Sequence, residues 1–190
     1  MKEELKVELF GEKDTEELEQ LFKVVWRDDC KSKICKCSNE VWHPKNPKDF
    51  CGLENRRFSN VAKYPSKWLE IRRYSKEKIL AEMDEGYNYF GVRKDGRIVG
   101  CYKAIITEEG CFGEQQSVLP EYRGLGAADA MYEQFIKFAE DKGCERNYMN
   151  ILVDDTVCEY IIERYGFEKW GEPYEQIGGM FVQMYERRVR

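Results

Sequence analysis

The stretch between residues 111 and 153 constrains the fold most, because it predicts a strand, a long helix and a second strand in succession. Cys111 to Val118 has the length and composition of a strand. Apolar residues then recur with helical spacing from about Gly126 to Lys142, and Gly143 follows as a stop signal. Tyr148 to Val153 returns to strand composition. Two strands joined through a helix are expected to lie parallel in one sheet.

The rest of the chain predicts further strands and helices around this unit. In chain order they are a strand at Leu5–Phe10, a helix that Asp14 and Glu17 open in the manner of a capping box, a helical region from Pro65 to Gly86, strands at Tyr87–Arg93 and Ile98–Thr107 joined by an Asp-Gly turn, a helix capped by Asp155 or Thr156 that runs through Tyr165, and a hairpin of Phe167–Tyr174 with Met180–Tyr185. This order predicts a mixed α/β (α+β) fold in a single domain over residues 1–190.

Composition places the chain among globular proteins and argues against several classes of function. Hydrophobic residues make up 42% and charged residues 35%, with both signs interspersed, which excludes a disordered chain. The net charge of −5 argues against a nucleic-acid partner, since a general binder needs a basic face. No window approaches the roughly 18 apolar residues of a membrane span, and the start lacks the apolar core of a signal peptide. We therefore expect a cytoplasmic protein without a membrane partner.

Residues 28–65 show no sustained period, and we interpret them as an irregular, cysteine-rich insertion in the domain. Within 22 residues this segment holds five side chains that can ligate a soft metal, namely Cys30, Cys35, Cys37, His43 and Cys51. Tetrahedral zinc needs four such ligands, although the spacing lacks paired Cys-x-x-Cys motifs. The alternatives are buried free thiols in a loop that covers the substrate, or a redox-active or acyl-accepting cysteine. Zinc therefore stays one interpretation among three.

The connection between the strand and the long helix contains two glycines, Gly124 and Gly126. Glycine adopts positive φ without a clash, so several backbone N–H groups can converge in front of the helix. Such groups and a helix N-terminus attract phosphate, and Arg123 adds a positive charge beside them. The pattern predicts either a phosphate-binding loop or a simple tight turn from strand to helix.

Residues 118–128 resemble the acyl-CoA loop of the GNAT family of N-acetyltransferases, which reads Arg/Gln-x-x-Gly-x-Gly/Ala. Arg123, Gly126 and Ala128 occupy the fixed positions of that loop, and Val118 and Pro120 match the residues that lead into it. The predicted order of elements from residue 87 to the end of the chain also resembles that fold. Residues 28–65 have no counterpart in the family pattern.

The resemblance implies a mixed, mostly antiparallel sheet that splays between two parallel strands and is flanked by helices. Acetyl-CoA would lie in the opening as acyl donor, and a primary amine of a small molecule or peptide would attack its thioester directly. The backbone N–H of Val118 would stabilise the oxyanion, and amides from Arg123 to Ala128 would hold the pyrophosphate. The cofactor-binding residues that the resemblance implies are Val118, Leu119, Pro120, Arg123, Gly124, Leu125, Gly126, Ala127, Ala128 and Asp155.

Glu114 and Tyr165 are the catalytic candidates that the resemblance leaves. The position of the usual base holds Gly113, and strand alternation would place the neighbouring Glu114 on the opposite face unless a bulge shifts the register. The position of the usual acid holds Ile162, which cannot donate a proton, so the nearby phenol of Tyr165 is the candidate. The alternatives are a solvated strand carboxylate and a tyrosine packed in the core.

Two other functions stay open at this point. Gly113 and Ile162 in place of proton carriers also fit a non-catalytic acyl-CoA sensor or interaction module. The segment from Cys30 to Cys51 also fits a metal- or redox-responsive protein. The net charge of −5 favours a cationic amine or basic peptide as the acceptor. The oligomeric state is not specified, with a homodimer as one alternative.

Overall fold

A computed structural model describes residues 5–26, 66–153 and 158–189, and its centre is a mixed β-sheet. The strands are β1 (Val7–Phe10), β2 (Asn88–Lys94), β3 (Arg97–Thr107), β4 (Gly110–Val118), β5 (Arg146–Leu152), β6 (Glu168–Ile177) and β7 (Met180–Arg188). They form a seven-stranded sheet in the order β1-β2-β3-β4-β5-β7-β6. The pair β4–β5 is parallel, and the other neighbouring pairs are antiparallel.

Helices cover both faces of this sheet. The α-helices in the described residues are α1 (Thr15–Val25), α2 (Ser66–Arg72), α3 (Lys76–Asp84), α4 (Ala127–Asp141) and α5 (Glu159–Tyr165). On one face, α4 packs through Met131 and Phe135, and α5 lies against α4. On the other face, α1 packs through Leu18 and Phe22, beside α2 and α3. The sheet is therefore the middle layer of three, buried on both sides at its centre.

The predicted order of strands and helices is confirmed, and so is the parallel pairing of the strands on either side of α4. The tight turn between β2 and β3 is also confirmed. Asp95 and Gly96 have φ values of +51° and +77°, the left-handed pair that a two-residue hairpin turn requires.

The predicted capping box at the start of α1 is wrong. The Asp14 side chain makes no capping hydrogen bond to the helix, because its oxygens accept from the backbone N–H of Gly11 and from Arg93. Glu17 accepts from Arg93 as well, and from the backbone N–H of Ile98 at 2.6 Å. Both carboxylates thus bind the start of α1 to the hairpin of β2 and β3, and they do not cap the helix.

Several expectations fall on residues that lie outside the described part of the chain. These are the cysteine-rich insertion at 28–65 with its five candidate metal ligands, and the predicted cap at Asp155 or Thr156. In the residues that are described, no helix is long and apolar enough to cross a membrane.

Candidate active site

The two parallel strands pair over only three residues and then separate. Cys111–Gly113 of β4 lies opposite Asn147–Met149 of β5. Beyond this point β4 pairs only with β3, up to Val118, while β5 continues beside β7 to Leu152. The opening between them holds a cavity of about 110 Å³. The centre of the sheet is therefore splayed, as the resemblance implied.

Side chains from both faces of the sheet line this cavity. Trp26 and Arg72 come from the face of α1 and α2, whereas Met131 and Phe135 come from α4 on the opposite face. The strands themselves contribute Glu114, Gln115 and Gln116 of β4 and Asn150, Ile151 and Leu152 of β5, with Tyr102 and Cys158 beside them. The cavity therefore runs through the plane of the sheet.

A β-bulge in β4 shapes one wall of the cavity. Gln115 and Gln116 together lie opposite Tyr102 of β3, so β4 has one extra residue at this point. Gln115 has a φ of +62°, a left-handed conformation that is unfavourable for a residue with a Cβ atom. Glu114 already faces the side that carries α2 and α3, and the extra residue turns Gln115 toward that same side.

A reciprocal contact with Arg72 holds the Gln115 side chain. Its amide oxygen accepts a hydrogen bond from Arg72 Nη1 at 2.8 Å, and its amide nitrogen donates to the backbone carbonyl of Arg72 at 2.7 Å. Only 3% of Gln115 is exposed. Two residues further along β4, the hydroxyl oxygen of Ser117 accepts a hydrogen bond from Trp26 Nε1 at 2.9 Å. These contacts fix the bulged part of β4 to the helices above it.

Strand alternation places Glu114, the predicted base, on the face opposite the one that Gly113 meets, and there it lines the cavity just before the bulge. Its Oε1 atom lies 3.1 Å from Lys103 Nζ and accepts a hydrogen bond from the Tyr87 hydroxyl at 3.4 Å. The side chain is 16% exposed. Burial and the Glu114 carboxylate raise the pKa of Tyr87 to about 12, so this phenol stays protonated and donates.

Gly113 cannot exchange roles with Glu114, for a steric reason. A Cβ atom at Gly113 would lie 2.7 Å from the ring of Phe135. Phe135 is 1% exposed and packs against the rings of Tyr102 and Phe167. A side chain at position 113 would therefore collide with the packed face of α4. The carboxylate comes one residue later, on the opposite face of the strand.

A buried lysine, Lys103, organises the polar groups behind Glu114. It is 1% exposed, and its Nζ atom lies 2.6 Å from Glu82 Oε2 and 3.1 Å from the hydroxyl of Tyr74. Burial alone would lower the pKa of Lys103, but Glu114, Tyr74 and Glu82 together raise it. The Tyr89 hydroxyl also donates to Glu82. Lys103 is therefore a charged ammonium group held between two carboxylates.

The loop before α4 presents unused backbone donors. Gly124 and Gly126 have φ values of +76° and +94°, and a Cβ atom at Gly126 would meet nothing within 4 Å. The backbone N–H groups from Gly124 to Ala128 donate to no other residue in the described ranges. Leu125 is 65% exposed. Consecutive donors at the N-terminus of a helix of this length are suited to an anion such as a diphosphate.

The set of open donors begins one residue later than predicted. The backbone N–H of Arg123 already donates to the carbonyl of Pro120 at 3.2 Å, and Arg123 Nε donates to the carbonyl of Val118 at 3.0 Å. Leu119 and Pro120 are buried beneath the loop. These contacts correct the expectation for the Arg123 amide, which helps to shape the loop.

The N–H of Val118 is directed toward the opening in the sheet. Leu119 N–H donates to the carbonyl of Val99 in β3 at 2.8 Å. Successive residues of a strand direct their N–H groups to opposite sides, so the N–H of Val118 points away from β3. On that side β5 has already separated from β4.

Tyr165 lies on the outer side of α4 and is not among the residues that line the cavity. Its ring stacks on Tyr132, and its hydroxyl contacts the carbonyl of Asp129 at 3.3 Å and Glu133 Oε1 at 3.3 Å. Burial and the carboxylates of Asp129 and Glu133 raise the pKa of Tyr165. Ile162 is partly buried and packs on the core.

Sequence reasoning missed the residues that support Glu114, chiefly Lys103, Glu82 and Gln115. One signal was present in the sequence. Lys103 stands between apolar residues in the middle of β3, and a charged residue in a buried strand is rare unless it is paired. No comparable signal exists for Gln115, because glutamine has no preference for positive φ.

Comparison of the sequence with protein-family models finds a match to the acetyltransferase (GNAT) family over residues 34–167. This match covers more than half of the chain. Comparison with curated proteins finds no significant match.

Comparison with solved structures shows that the fold is shared with acetyltransferases of low sequence identity. One is PaiA N-acetyltransferase from Thermoplasma acidophilum in complex with coenzyme A, with 15% identity and a TM-score of 0.65 over 96% of this chain and 98% of that one. Another is an N-acetyltransferase for an alanine of a ribosomal protein from Escherichia coli, with 12% identity and a TM-score of 0.62 over 98% and 94%. A third, from Staphylococcus aureus, has 12% identity and a TM-score of 0.59 over 99% and 100%.

Proposed function

The chain belongs to the acetyltransferase (GNAT) family, and on that premise we propose that it transfers an acetyl group from acetyl-CoA to a primary amine of a small molecule or peptide. The observation that carries this proposal is the cavity between β4 and β5. It has Glu114 on its wall, the N–H of Val118 directed toward it, and open backbone donors in the loop that follows.

The loop before α4 accounts for binding of the donor. In the proposal, the backbone N–H groups of Gly124 to Ala128 hold the pyrophosphate of acetyl-CoA, and the pantetheine arm enters the opening beside Val118. The helix dipole of α4 adds to the attraction for negative charge. The presence of coenzyme A in the Thermoplasma structure supports this assignment.

The reaction then needs no covalent intermediate on the protein. The neutral amine attacks the thioester carbonyl, a C–N bond forms, and the N–H of Val118 stabilises the oxyanion. Glu114 takes the proton that the attacking nitrogen loses, directly or through a water molecule. The C–S bond breaks and CoA leaves as a thiolate, which takes up a proton to become the free thiol. Holding the amine beside the thioester supplies much of the acceleration.

Tyr165 is proposed as the proton donor to the thiolate on the strength of the resemblance alone. Its raised pKa keeps it protonated at neutral pH, which suits an acid. Its hydroxyl contacts Asp129 and Glu133, and these contacts favour the alternative of a packing role.

The acceptor is proposed by chemical class. A primary amine fits an enzyme in which a carboxylate lines the reaction cavity, and the net charge of −5 favours a cationic acceptor. One structural neighbour acts on an alanine of a protein, which supports the inclusion of peptide amines. The presence of Glu114 at the cavity favours an enzyme over a non-catalytic sensor.

The first prediction tests both donor binding and catalysis. At 100 times its Kd, acetyl-CoA should stabilise the protein by about 2.7 kcal/mol, seen as a rise in melting temperature. With a panel of small amines and peptides, free CoA thiol should be released, and Glu114→Gln should lower kcat by about 100-fold or more. Glu108→Gln, an exposed carboxylate in the turn before β4, is the matched control and should keep full activity.

Two results would contradict the proposal. One is a melting temperature that millimolar acetyl-CoA and CoA leave unchanged. The other is CoA binding without thiol release for every amine in the panel, which would favour the sensor.

A further inference from the structure

The two oxygens of the Glu114 carboxylate differ in their surroundings. Both donors that reach this group, Lys103 Nζ at 3.1 Å and the Tyr87 hydroxyl at 3.4 Å, contact Oε1. In the ranges that the structure describes, Oε2 has no hydrogen-bond partner. Glu114 lines the cavity, so the oxygen without a protein partner belongs to a carboxylate that substrate or water can reach.

Groups other than Glu114 also hold the Lys103 side chain in place. Its ammonium group contacts Glu82 Oε2 at 2.6 Å and the Tyr74 hydroxyl at 3.1 Å. It also lies over the rings of Tyr74 and Tyr87, 4.6 Å and 4.2 Å from their centroids. The position of Nζ is therefore determined on several sides, and Lys103 does not line the cavity.

An ion pair of this kind can act in two ways. It can stabilise the fold, or it can set the orientation of the partner that faces the substrate. The desolvation of a buried pair offsets much of its Coulomb attraction, so burial alone is weak support for a stabilising role. The asymmetric contacts to Glu114 favour the second interpretation.

We propose that Lys103 is a positioning residue for the reaction, which holds Oε1 of Glu114 and leaves Oε2 as the atom that accepts the proton of the attacking amine. Glu82 serves this arrangement by fixing the ammonium group of Lys103. The inference rests on the proposed function, in which Glu114 is the base.

Lys103 is not the only charged or phenolic group beside Glu114. The same pocket is faced by Glu82 and Lys78 from α3, Tyr74 from the segment before α3, and Tyr87 from the segment before β2. Lys78 lies 3.9 Å from Glu82 and makes no ion pair with Glu114 in the described ranges.

The test is kinetic and compares the catalytic step with substrate binding. In Lys103→Met, which keeps most of the side-chain volume but removes the charge, kcat should fall by about 10-fold or more, whereas the KM for the amine should stay near the wild-type value. In Lys78→Met, the matched control, kcat should stay at the wild-type value.

A binding measurement separates positioning from folding. The affinity of Lys103→Met for CoA, measured by titration calorimetry, should not change, because the loop before α4 is intact. If Lys103→Met fails to fold, Lys103→Met/Glu82→Gln removes the unpaired buried carboxylate as well, and kcat should fall in that variant too.

Two outcomes have distinct meanings. A folded Lys103→Met variant that keeps the kcat of the wild type would overturn the positioning role. A wild-type protein that binds CoA but acetylates no amine would contradict the proposed function itself.

Discussion

Single residues decide which side chain can reach the cavity between β4 and β5. Gly113 has no side chain because the ring of Phe135 would lie 2.7 Å from its Cβ. Phe135 cannot move aside easily, since it is 1% exposed and packed among other rings. The carboxylate therefore comes from Glu114, which the following bulge accommodates.

The contact between Gly113 and Phe135 gives a prediction about stability. Gly113→Ala should lower the free energy of unfolding by about 1 to 3 kcal/mol, because overpacking in a rigid core forces neighbours to shift. Urea denaturation measures the change. Gly11→Ala is the control, since a Cβ there would meet nothing within 4 Å and its φ is −125°. Equal stability of the Gly113 variant and the wild type would show that the ring of Phe135 relocates freely.

At the scale of elements, the bulge in β4 depends on a helix far away in sequence. The Gln115 side chain bonds to Arg72, 43 positions earlier, and its backbone is held at a φ of +62°. The strand is thus bent where the contact from α2 reaches it. This bend turns Gln115 toward the face on which Glu114 lies.

The positive φ of Gln115 predicts that glycine at this position gives a more stable protein than alanine, the reverse of the usual order in a strand. In an ordinary strand alanine is more stable than glycine by about 0.5 to 1 kcal/mol. At position 115 both variants lose the contact with Arg72, but only alanine retains the left-handed penalty of about 1 to 2 kcal/mol. Gln115→Gly should therefore have the higher free energy of unfolding.

The same pair of substitutions at Gln116, whose φ is not positive, supplies the control, and there alanine should be the more stable. Chemical denaturation of the four variants measures both differences. If alanine is also the more stable residue at position 115, the backbone does not have the conformation described.

At the scale of the whole molecule, ion pairs connect helices and strands that are distant in the sequence. Arg93 of β2 contacts Asp14 at 2.9 Å and Glu17 at 2.7 Å. Lys103 of β3 joins α3 to β4 through Glu82 and Glu114. The helices on this face of the sheet are therefore attached to it by ionic contacts as well as by packing.

These buried groups predict the response of the fold to alkali. Burial and Glu114 raise the pKa of Tyr87 to about 12, and the carboxylates near Lys103 raise its pKa despite its burial. Both groups release their protons at lower pH in the unfolded chain, so the free energy of unfolding should fall as pH rises from about 10 to about 12. Denaturation at a series of pH values measures this dependence.

In Tyr87→Phe the free energy of unfolding should fall less steeply as the pH rises. Tyr174→Phe is the control, at a tyrosine that is 43% exposed, and it should keep the wild-type slope. An unchanged slope in Tyr87→Phe would contradict the assignment of the alkaline response to Tyr87.

Local patterns predicted most of the fold but not the details of the site. The apolar spacing and glycines around α4 are local signals, and the helix and its loop follow from them. Lys103 and Glu82 are 21 positions apart, and their contact exists only once the sheet has formed. Asp14 and Glu17 have the spacing of a capping box, but Arg93, more than 70 positions away, competes for both. Tertiary contacts thus override a local preference where a charged partner is close.

The cavity through the sheet has a consequence for the kinetics of the proposed transfer. Its walls come from the face of α1 and α2 on one side and from α4 on the other, an arrangement that suits a donor and an acceptor bound at the same time. For the proposed function we therefore expect a ternary complex, with intersecting lines in a double-reciprocal plot of initial rates.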